Sequence, residues 1–275
     1  MSRGADRREG SLSRILPGGC LFLAALALGP LLAGADQGRR LLLQDVLTVP
    51  GRPVRIEARL LRNGDRGLGG ERLELLVGGK TIGMAVTRGD GLASFDYVSR
   101  MRGNHAMTVR LADAKRVDHA EAGAILACWE RRRPILLIDV TALREEAGAP
   151  FPDAADALKR LSEYYFNVIY LVRSSHEGLV SGEGERAWLG QHRFPPGLVV
   201  RVSQGQAALA GLIDRMRAEG WDNLTGGVGR TTEFASVLLE HRMGAVLLAS
   251  AKDASMPKKT LIAKDWKEIR KQLQK

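Results

Sequence analysis

One short apolar segment constrains the fold of this chain more than any other feature. The run Pro134-Ile-Leu-Leu-Ile-Asp139-Val-Thr141 is apolar until it meets a single carboxylate. A run of this kind is typical of a strand that is buried on both faces of a parallel sheet. Because open α/β sheets bind ligands at the carboxyl ends of their strands, Asp139 is a candidate functional residue.

After Glu130-Arg-Arg-Arg-Pro134, apolar strands alternate with helical stretches. The strands are predicted at 134–139, 168–172, 197–202 and 245–249, and the helices at about 153–165, 182–192, 206–219 and 231–242. Strands that alternate with helices of this length form parallel sheets. The sequence therefore predicts the α/β fold class, with a doubly wound, mostly parallel domain over residues 134–275.

The first half of the chain has a different periodicity. Val54–Leu60 alternates strictly between apolar and polar residues, and Gly78-Gly79 separates two apolar runs as a hairpin turn does. About seven short strands without a helical stretch predict a β-sandwich over residues 40–130. The segments Gly51-Arg-Pro-Val-Arg-Ile and Thr87-Arg-Gly-Asp-Gly-Leu-Ala-Ser-Phe95 resemble bacterial immunoglobulin-like modules, which are spacers or adhesive elements.

Residues 1–35 have the layout of a targeting segment. Four arginines precede the apolar stretch Cys20–Leu32, and Ala33-Gly34-Ala35 is an A-x-A cleavage sequence. This layout predicts a signal peptide that is cleaved near Ala35, and hence an exported, periplasmic or extracytoplasmic protein. The alternative is an uncleaved inner-membrane anchor, although Gly29-Pro30 interrupts a run shorter than the about 20 apolar residues that span a bilayer.

The charge of the chain suggests the class of its partners. The formal net charge is +10, and Lys252–Lys275 holds eight basic and three acidic residues. Such a segment is favoured to be a solvated final helix, and the alternative is contact with an anionic membrane surface. Nucleic acid is not expected as a partner, because the protein is predicted to be exported and its basic residues lack interleaved aromatics.

Residues 134–275 resemble the haloacid dehalogenase-like superfamily, in particular the phosphatase-type domain of lipins and membrane-associated phosphatidylinositol-transfer proteins. The similarity is carried by three segments: Val168-Ile-Tyr-Leu-Val-Arg-Ser174-Ser175, Glu185-Arg-Ala-Trp188-Leu189 and His192-Arg-Phe194-Pro195-Pro-Gly197. The resemblance implies that Asp139 is a phosphoryl-accepting nucleophile and a Mg²⁺ ligand. It also implies that Ser174 or Ser175 binds the phosphoryl group, and that Glu233 is a weak second metal ligand.

Several residues that this chemistry needs are absent from the sequence. Thr141 stands where the family has its acid/base aspartate, and Thr141 cannot protonate a leaving group at neutral pH. The helix that begins Gln206-Ala-Ala-Leu contains no lysine, and Arg230 occupies a position where an aspartate is usual. Arg230 would repel Mg²⁺, which binds mainly through carboxylates.

The predicted function is therefore a non-catalytic binding or structural module for a phosphorylated or anionic ligand, with no cofactor. The residues predicted to bind this ligand are Thr141, Arg173, Ser174, Ser175 and Arg230. The alternative is a Mg²⁺-dependent phosphomonoester hydrolase, acting on lipid phosphates among other substrates, with Asp139 as nucleophile. In either case Asp139, Ser174 and the segment Gly226–Glu233 should converge at one edge of the sheet.

Overall fold

The computed structural model describes residues 39–62, 65–112, 120–174, 182–249 and 256–274. These residues belong to one compact unit, Gln37–Lys275. The predicted signal peptide, Ser175 and Lys252 lie outside the described residues. Within the described part, no helix is both long enough and apolar enough to cross a membrane.

Two sheets packed face to face form the first half of the described chain. Their strands are β1 (Arg39–Leu43), β2 (Val46–Thr48), β3 (Pro53–Arg62), β4 (Arg66–Gly67), β5 (Arg72–Val77), β6 (Lys80–Val86), β7 (Leu92–Val98), β8 (Gly103–Leu111) and β9 (Glu121–Cys128). In one sheet β3 pairs with β1, β4 and β7, all antiparallel. The other has the order β2-β9-β8-β5-β6 and is mixed, because β2 runs parallel to β9.

The core of this sandwich follows from the alternation seen in the sequence. In β3, Ile56, Ala58 and Leu60 are buried because successive side chains of a strand point to opposite faces. The hairpin between β5 and β6 turns at Gly78 and Gly79, whose φ angles of 57° and 77° lie in the left-handed region that glycine adopts readily. The hairpin that the sequence predicted there is confirmed.

The second half contains a six-stranded parallel sheet. Its strands are β10 (Ile135–Asp139), β11 (Asn167–Ser174), β12 (Leu198–Ser203), β13 (Leu224–Gly229), β14 (Gly244–Leu248) and β15 (Leu261–Ala263), in the order β12-β11-β10-β13-β14-β15. Among the described residues, five helices accompany the sheet: α1 (Ala154–Tyr164), α2 (Glu183–Gln191), α3 (Gln206–Ala218), α4 (Thr232–Glu240) and α5 (Trp266–Leu273).

Helices cover both faces of the parallel sheet, so its central strand β10 is buried on both sides. Ile135 and Leu137 pack in one core with α3 and α4, whereas Leu136 and Ile138 pack in a second core with α1 and α5. This explains why the central run of the sequence is continuously apolar. Trp129, which follows the last sandwich strand, belongs to the α3–α4 core and ties the two halves together.

The fold class predicted from the sequence is wrong as an assignment for the chain. Strand residues outnumber helical residues, and the sheets of the first half are antiparallel or mixed, so the chain is not an α/β protein of the haloacid dehalogenase kind. The physical reason is that the prediction used only the alternation of strands with helices. Strands that alternate with helices specify parallel pairing, but many unrelated folds share this pattern, so it cannot identify one of them.

The glycines at 226, 227 and 229 begin the segment that the sequence placed at the edge of the sheet, and their role is in packing. They lie inside strand β13 and do not form a loop before α4. A side chain at Gly227 would come within 2.8 Å of the Leu137 carbonyl oxygen, and one at Gly229 would overlap the ring of Phe234. These glycines therefore allow α4 to pack closely against the sheet, and their presence does not require a bound phosphate.

Candidate functional site

Asp139 ends the central strand β10 and is only 3% exposed. Its Oδ1 atom accepts hydrogen bonds from the Thr141 backbone N–H at 3.0 Å and from the Thr141 hydroxyl at 2.7 Å. Asp139 thereby caps a single 3-10 turn, Val140–Ala142, whose first N–H groups have no partner within the turn. The carboxylate is thus held in place by the loop that follows it.

Arg173 faces the other oxygen of this carboxylate. In the register of β10 and β11, Asp139 pairs with Leu171, so Arg173 lies two residues further along on the same face. Its Nε atom lies 3.5 Å from Asp139 Oδ2, and its Nη1 donates to the Gly205 carbonyl oxygen at 3.4 Å. Both oxygens of Asp139 therefore have partners from the protein itself.

Arg230 follows strand β13 on the other side of β10. Its side chain is exposed, and its guanidinium lies over the ring of Phe151, with 5.4 Å between Cζ and the ring centroid. Phe151 closes the loop after β10, because its N–H donates to the Leu143 carbonyl oxygen at 2.9 Å. Arg230 is therefore supported on an aromatic face beside the end of the central strand.

The strand ends bring three of the predicted residues to one edge of the sheet. Because β11 and β13 flank β10, Arg173 and Arg230 lie on either side of Asp139. Ser174 ends β11 opposite Ser203 and has an interaction of its own. Ser175 lies outside the described residues, so its role stays a prediction.

The predicted metal ligands are Asp139 and Glu233. Glu233 is exposed in the first turn of α4, the helix that Thr231 caps by accepting from the Phe234 N–H at 3.2 Å. In the part of the chain that the structure describes, no three His, Cys, Asp or Glu side chains are grouped so that they could hold a metal. A metal role for Asp139 and Glu233 stays a prediction.

A second polar cluster, which the sequence reasoning missed, lies where the two halves meet. The Asp45 carboxylate accepts from the Ile125 N–H at 2.7 Å, the Val199 N–H at 2.6 Å and Arg186 Nη1 at 2.7 Å. Burial raises the pKa of Asp45, and the positive charge of Arg186 opposes this effect. The signal in the sequence is a lone acidic residue between the apolar strands β1 and β2.

Comparisons with known proteins find partial similarity to β-sandwich domains. Neither a protein-family model nor a curated protein matches the chain. The CARDB domain of a Pyrococcus furiosus protein, solved in complex with di-metal ions, is 10% identical, with 33% of this chain and 89% of that chain covered and a TM-score of 0.27. The D0–D1 domain of intimin is 13% identical, with 34% and 50% covered and a TM-score of 0.26.

A further similar structure is the immunoglobulin complex of titin M10 with obscurin-like 1, at 14% identity, with 34% of this chain and 97% of that chain covered and a TM-score of 0.25. These matches support the immunoglobulin-like description. At such scores they carry no inference about ligand or activity.

The resemblance of residues 134–275 to the haloacid dehalogenase-like superfamily is wrong: no family model matches the chain, and the comparisons show no phosphatase of that family. Packing explains part of the motif that suggested it. The Tyr170 hydroxyl donates to the Pro195 carbonyl oxygen at 2.6 Å, and a side chain at Gly197 would lie 2.8 Å from the Tyr170 ring. Phe194 is buried and stacks on Trp188, with ring centroids 5.4 Å apart. Core packing therefore accounts for these residues, and no phosphatase site is needed to explain them.

Proposed function

We propose that this protein is a non-catalytic module that binds an anionic ligand at the strand-end edge formed by Asp139, Arg173 and Arg230. The observation that carries the proposal is the charge arrangement at this edge. Arg173 faces the carboxylate of Asp139, and Arg230 remains as an exposed cation directly after the neighbouring strand β13. A guanidinium offers several N–H donors in a plane and pairs with phosphate or carboxylate in a bidentate manner.

The arrangement of Asp139 supports binding over catalysis. Oδ1 of Asp139 accepts two hydrogen bonds from Thr141 and Oδ2 faces the Arg173 guanidinium, so the carboxylate is held by groups of the protein itself. An attacking anion also needs a cation that bridges it to the substrate. Here the nearest cation is directed at the carboxylate itself, so Asp139 serves to orient Arg173.

The contact with Phe151 gives Arg230 a defined position. A guanidinium that stacks on a ring keeps its N–H donors pointing outward, and it loses less side-chain freedom when a ligand binds. Arg173 is directed at Asp139, so the exposed Arg230 is the residue that a ligand would engage. We expect pyrophosphate to bind more tightly than phosphate because it carries more negative charge.

Calorimetric titration with pyrophosphate at low ionic strength tests the proposal. Arg230→Gln should weaken binding roughly 10-fold to 100-fold, the loss expected for a charge-assisted pair. Arg100→Gln removes an exposed charge from the sandwich and serves as the matched control. Equal losses in the two variants, or no binding by the unaltered protein, would contradict the proposal. Mg²⁺-dependent turnover of an aryl phosphate that Asp139→Ala abolishes would overturn its non-catalytic part.

We also propose that the protein is exported and that its mature chain begins at Asp36. The support is the basic leader, the apolar segment and the A-x-A sequence. N-terminal sequencing of the protein recovered from the extracytoplasmic fraction tests this. An intact Met1 terminus in the membrane fraction would indicate an anchor, and an intact chain in the cytosol would refute export.

A further inference from the structure

A groove about 530 Å³ in volume lies between helices α1 and α5, on the outer side of the parallel sheet. Its walls are formed by charged side chains from the two helices and the residue before α1: Asp153, Asp156, Lys159, Arg160, Glu163, Lys267, Arg270 and Lys271. The residues of the strand-end edge, Asp139, Arg173 and Arg230, do not line this groove. The groove is therefore a separate surface and needs its own explanation.

The two helices are held firmly beneath this groove. Trp266, at the start of α5, is fully buried, and its indole N–H donates to the Ala142 carbonyl oxygen at 2.9 Å. Ile269 on α5 and Leu158 and Leu161 on α1 are buried in the same core. The apolar faces of both helices are thus used for packing, which leaves their charged faces outward.

Most cations of the groove have no acidic partner. Lys267 pairs with Asp153 at 3.1 Å, with both side chains largely in solvent. Among the residues that the structure describes, Lys159, Arg160, Arg270 and Lys271 make no ion pair. The groove holds five cations against the three carboxylates of Asp153, Asp156 and Glu163, so its net charge is +2 and the surface attracts anionic groups.

Exposed aromatic side chains continue this surface at the end of α1. Tyr164 is 75% exposed and Tyr165 is 42% exposed, although tyrosine usually buries most of its ring. Tyr164 lies four residues after Arg160 and so shares its helix face. Tyrosine next to lysine and arginine is the combination that settles at the headgroup level of a bilayer.

We propose that the α1–α5 surface docks this protein on a membrane that contains anionic phospholipids. The lysines and arginines would contact the headgroup phosphates, and Tyr164 would enter the interfacial layer. A membrane fits these observations better than a small soluble anion does, because the cations are spread over two helices and the tyrosines lie beyond the groove. Docking of this kind is reversible, since it buries no apolar helix face.

Cosedimentation of the protein with vesicles tests the proposal. We expect binding to vesicles of phosphatidylcholine with about one third phosphatidylglycerol, none to pure phosphatidylcholine, and loss of binding in 0.5 M salt because the Debye length falls to about 4 Å. The triple variant Lys159→Gln, Arg270→Gln and Lys271→Gln should bind the anionic vesicles on the order of 100-fold more weakly, at about fivefold for each cation.

A second triple variant provides the control. Arg40→Gln, Lys80→Gln and Arg100→Gln remove the same charge from exposed positions on the sandwich, and this variant should bind like the unaltered protein. Equal losses in the two triple variants would overturn the proposal in favour of a non-specific charge effect. The proposal would also be overturned if the unaltered protein bound heparin but no vesicles, and if the groove variant lost this heparin binding.

A fluorescent reporter at the tyrosine tests the orientation on the membrane. The fluorescence of the new tryptophan in Tyr164→Trp is obtained by subtracting the spectrum of the unaltered protein. Its emission maximum should move to shorter wavelength on anionic vesicles, because the indole leaves water. An unchanged emission while the protein is bound would show that another face contacts the lipid and would overturn the assignment. Circular dichroism of each variant shows whether it is folded, and a misfolded triple variant would be replaced by its single substitutions.

Discussion

Asp45 and Arg186 form a buried ion pair that joins the two halves of the chain, with 2.7 Å between Asp45 Oδ1 and Arg186 Nη1. Asp45 lies between β1 and β2 of the sandwich, and Arg186 lies in α2. Arg186 also donates to the Gly123 carbonyl oxygen in β9, and Asp45 accepts from the Val199 N–H in β12. Each half thus satisfies polar groups of the other, so the two should unfold together.

Removing the arginine of this pair should be costly. Arg186→Met leaves a carboxylate that is 1% exposed without its counter-charge, and we expect a loss of about 3–5 kcal/mol in the free energy of unfolding. Urea denaturation measures it. Arg55→Met, which breaks the solvent-exposed pair of Arg55 with Asp96, should cost less than about 1 kcal/mol. Similar losses in the two variants would show that the buried pair does not hold the halves together.

The same carboxylate should give the protein a specific pH dependence. Burial raises the pKa of Asp45 above its ordinary value of 3.8, so between that value and the raised one the folded chain holds a proton that the unfolded chain has lost. The contribution of Asp45 to stability therefore falls as the pH rises through this window. Asp45→Asn lacks this titration.

Denaturation of the unaltered protein and of Asp45→Asn at a series of pH values checks the prediction. The free energy of unfolding of the unaltered protein, relative to that of the variant, should decrease from pH 3 upward and become constant above the raised pKa of Asp45. A relative stability that increases over this range would mean that Arg186 dominates and that the pKa of Asp45 is lowered.

A close approach between α4 and the sheet predicts the effect of one small substitution. A methyl group at Gly229 would overlap the buried ring of Phe234, so Gly229→Ala should cost about 1–3 kcal/mol as overpacking. Gly184→Ala, in α2 with open space around it, should be neutral or stabilising by up to about 1 kcal/mol. Thermal melting of the two variants gives the comparison, and a neutral Gly229→Ala would contradict the packing role.

The sequence predicted the elements of this fold better than it predicted its family. The helices at α1, α2, α3 and α4 and the strand β10 lie within about two residues of their expected positions, because apolar periodicity reports burial directly. Strand β13 was missed because three of its six residues are glycine, which disfavours strands unless close packing requires it.

The candidate site was only partly predictable, for a similar reason. Asp139 was identified because it ends an apolar strand, and ligands bind at the carboxyl ends of parallel strands. Arg173 and Arg230 were identified by their places in the segments compared with the family. That Arg173 would face Asp139 depends on the register of β10 and β11, and that Arg230 would stack on Phe151 depends on the path of a loop. An ion pair between the two halves, such as that of Asp45 with Arg186, joins residues far apart in the chain and leaves no local pattern in the sequence.

The role of Asp139 can be distinguished by stability as well as by activity. If the carboxylate serves to cap the turn at Val140–Ala142 and to hold Arg173, its removal should destabilise the fold. We expect Asp139→Ala to cost roughly 2–4 kcal/mol, because the Thr141 N–H loses its acceptor and the Arg173 charge its partner. Asp139→Asn keeps an acceptor for Thr141 and should cost roughly 1–2 kcal/mol. Urea denaturation gives both values.

A residue kept for chemistry would behave in the opposite way, because functional carboxylates are commonly neutral or costly for stability. An Asp139→Ala variant as stable as the unaltered protein would therefore reject the structural role and return Asp139 to the candidates for catalysis.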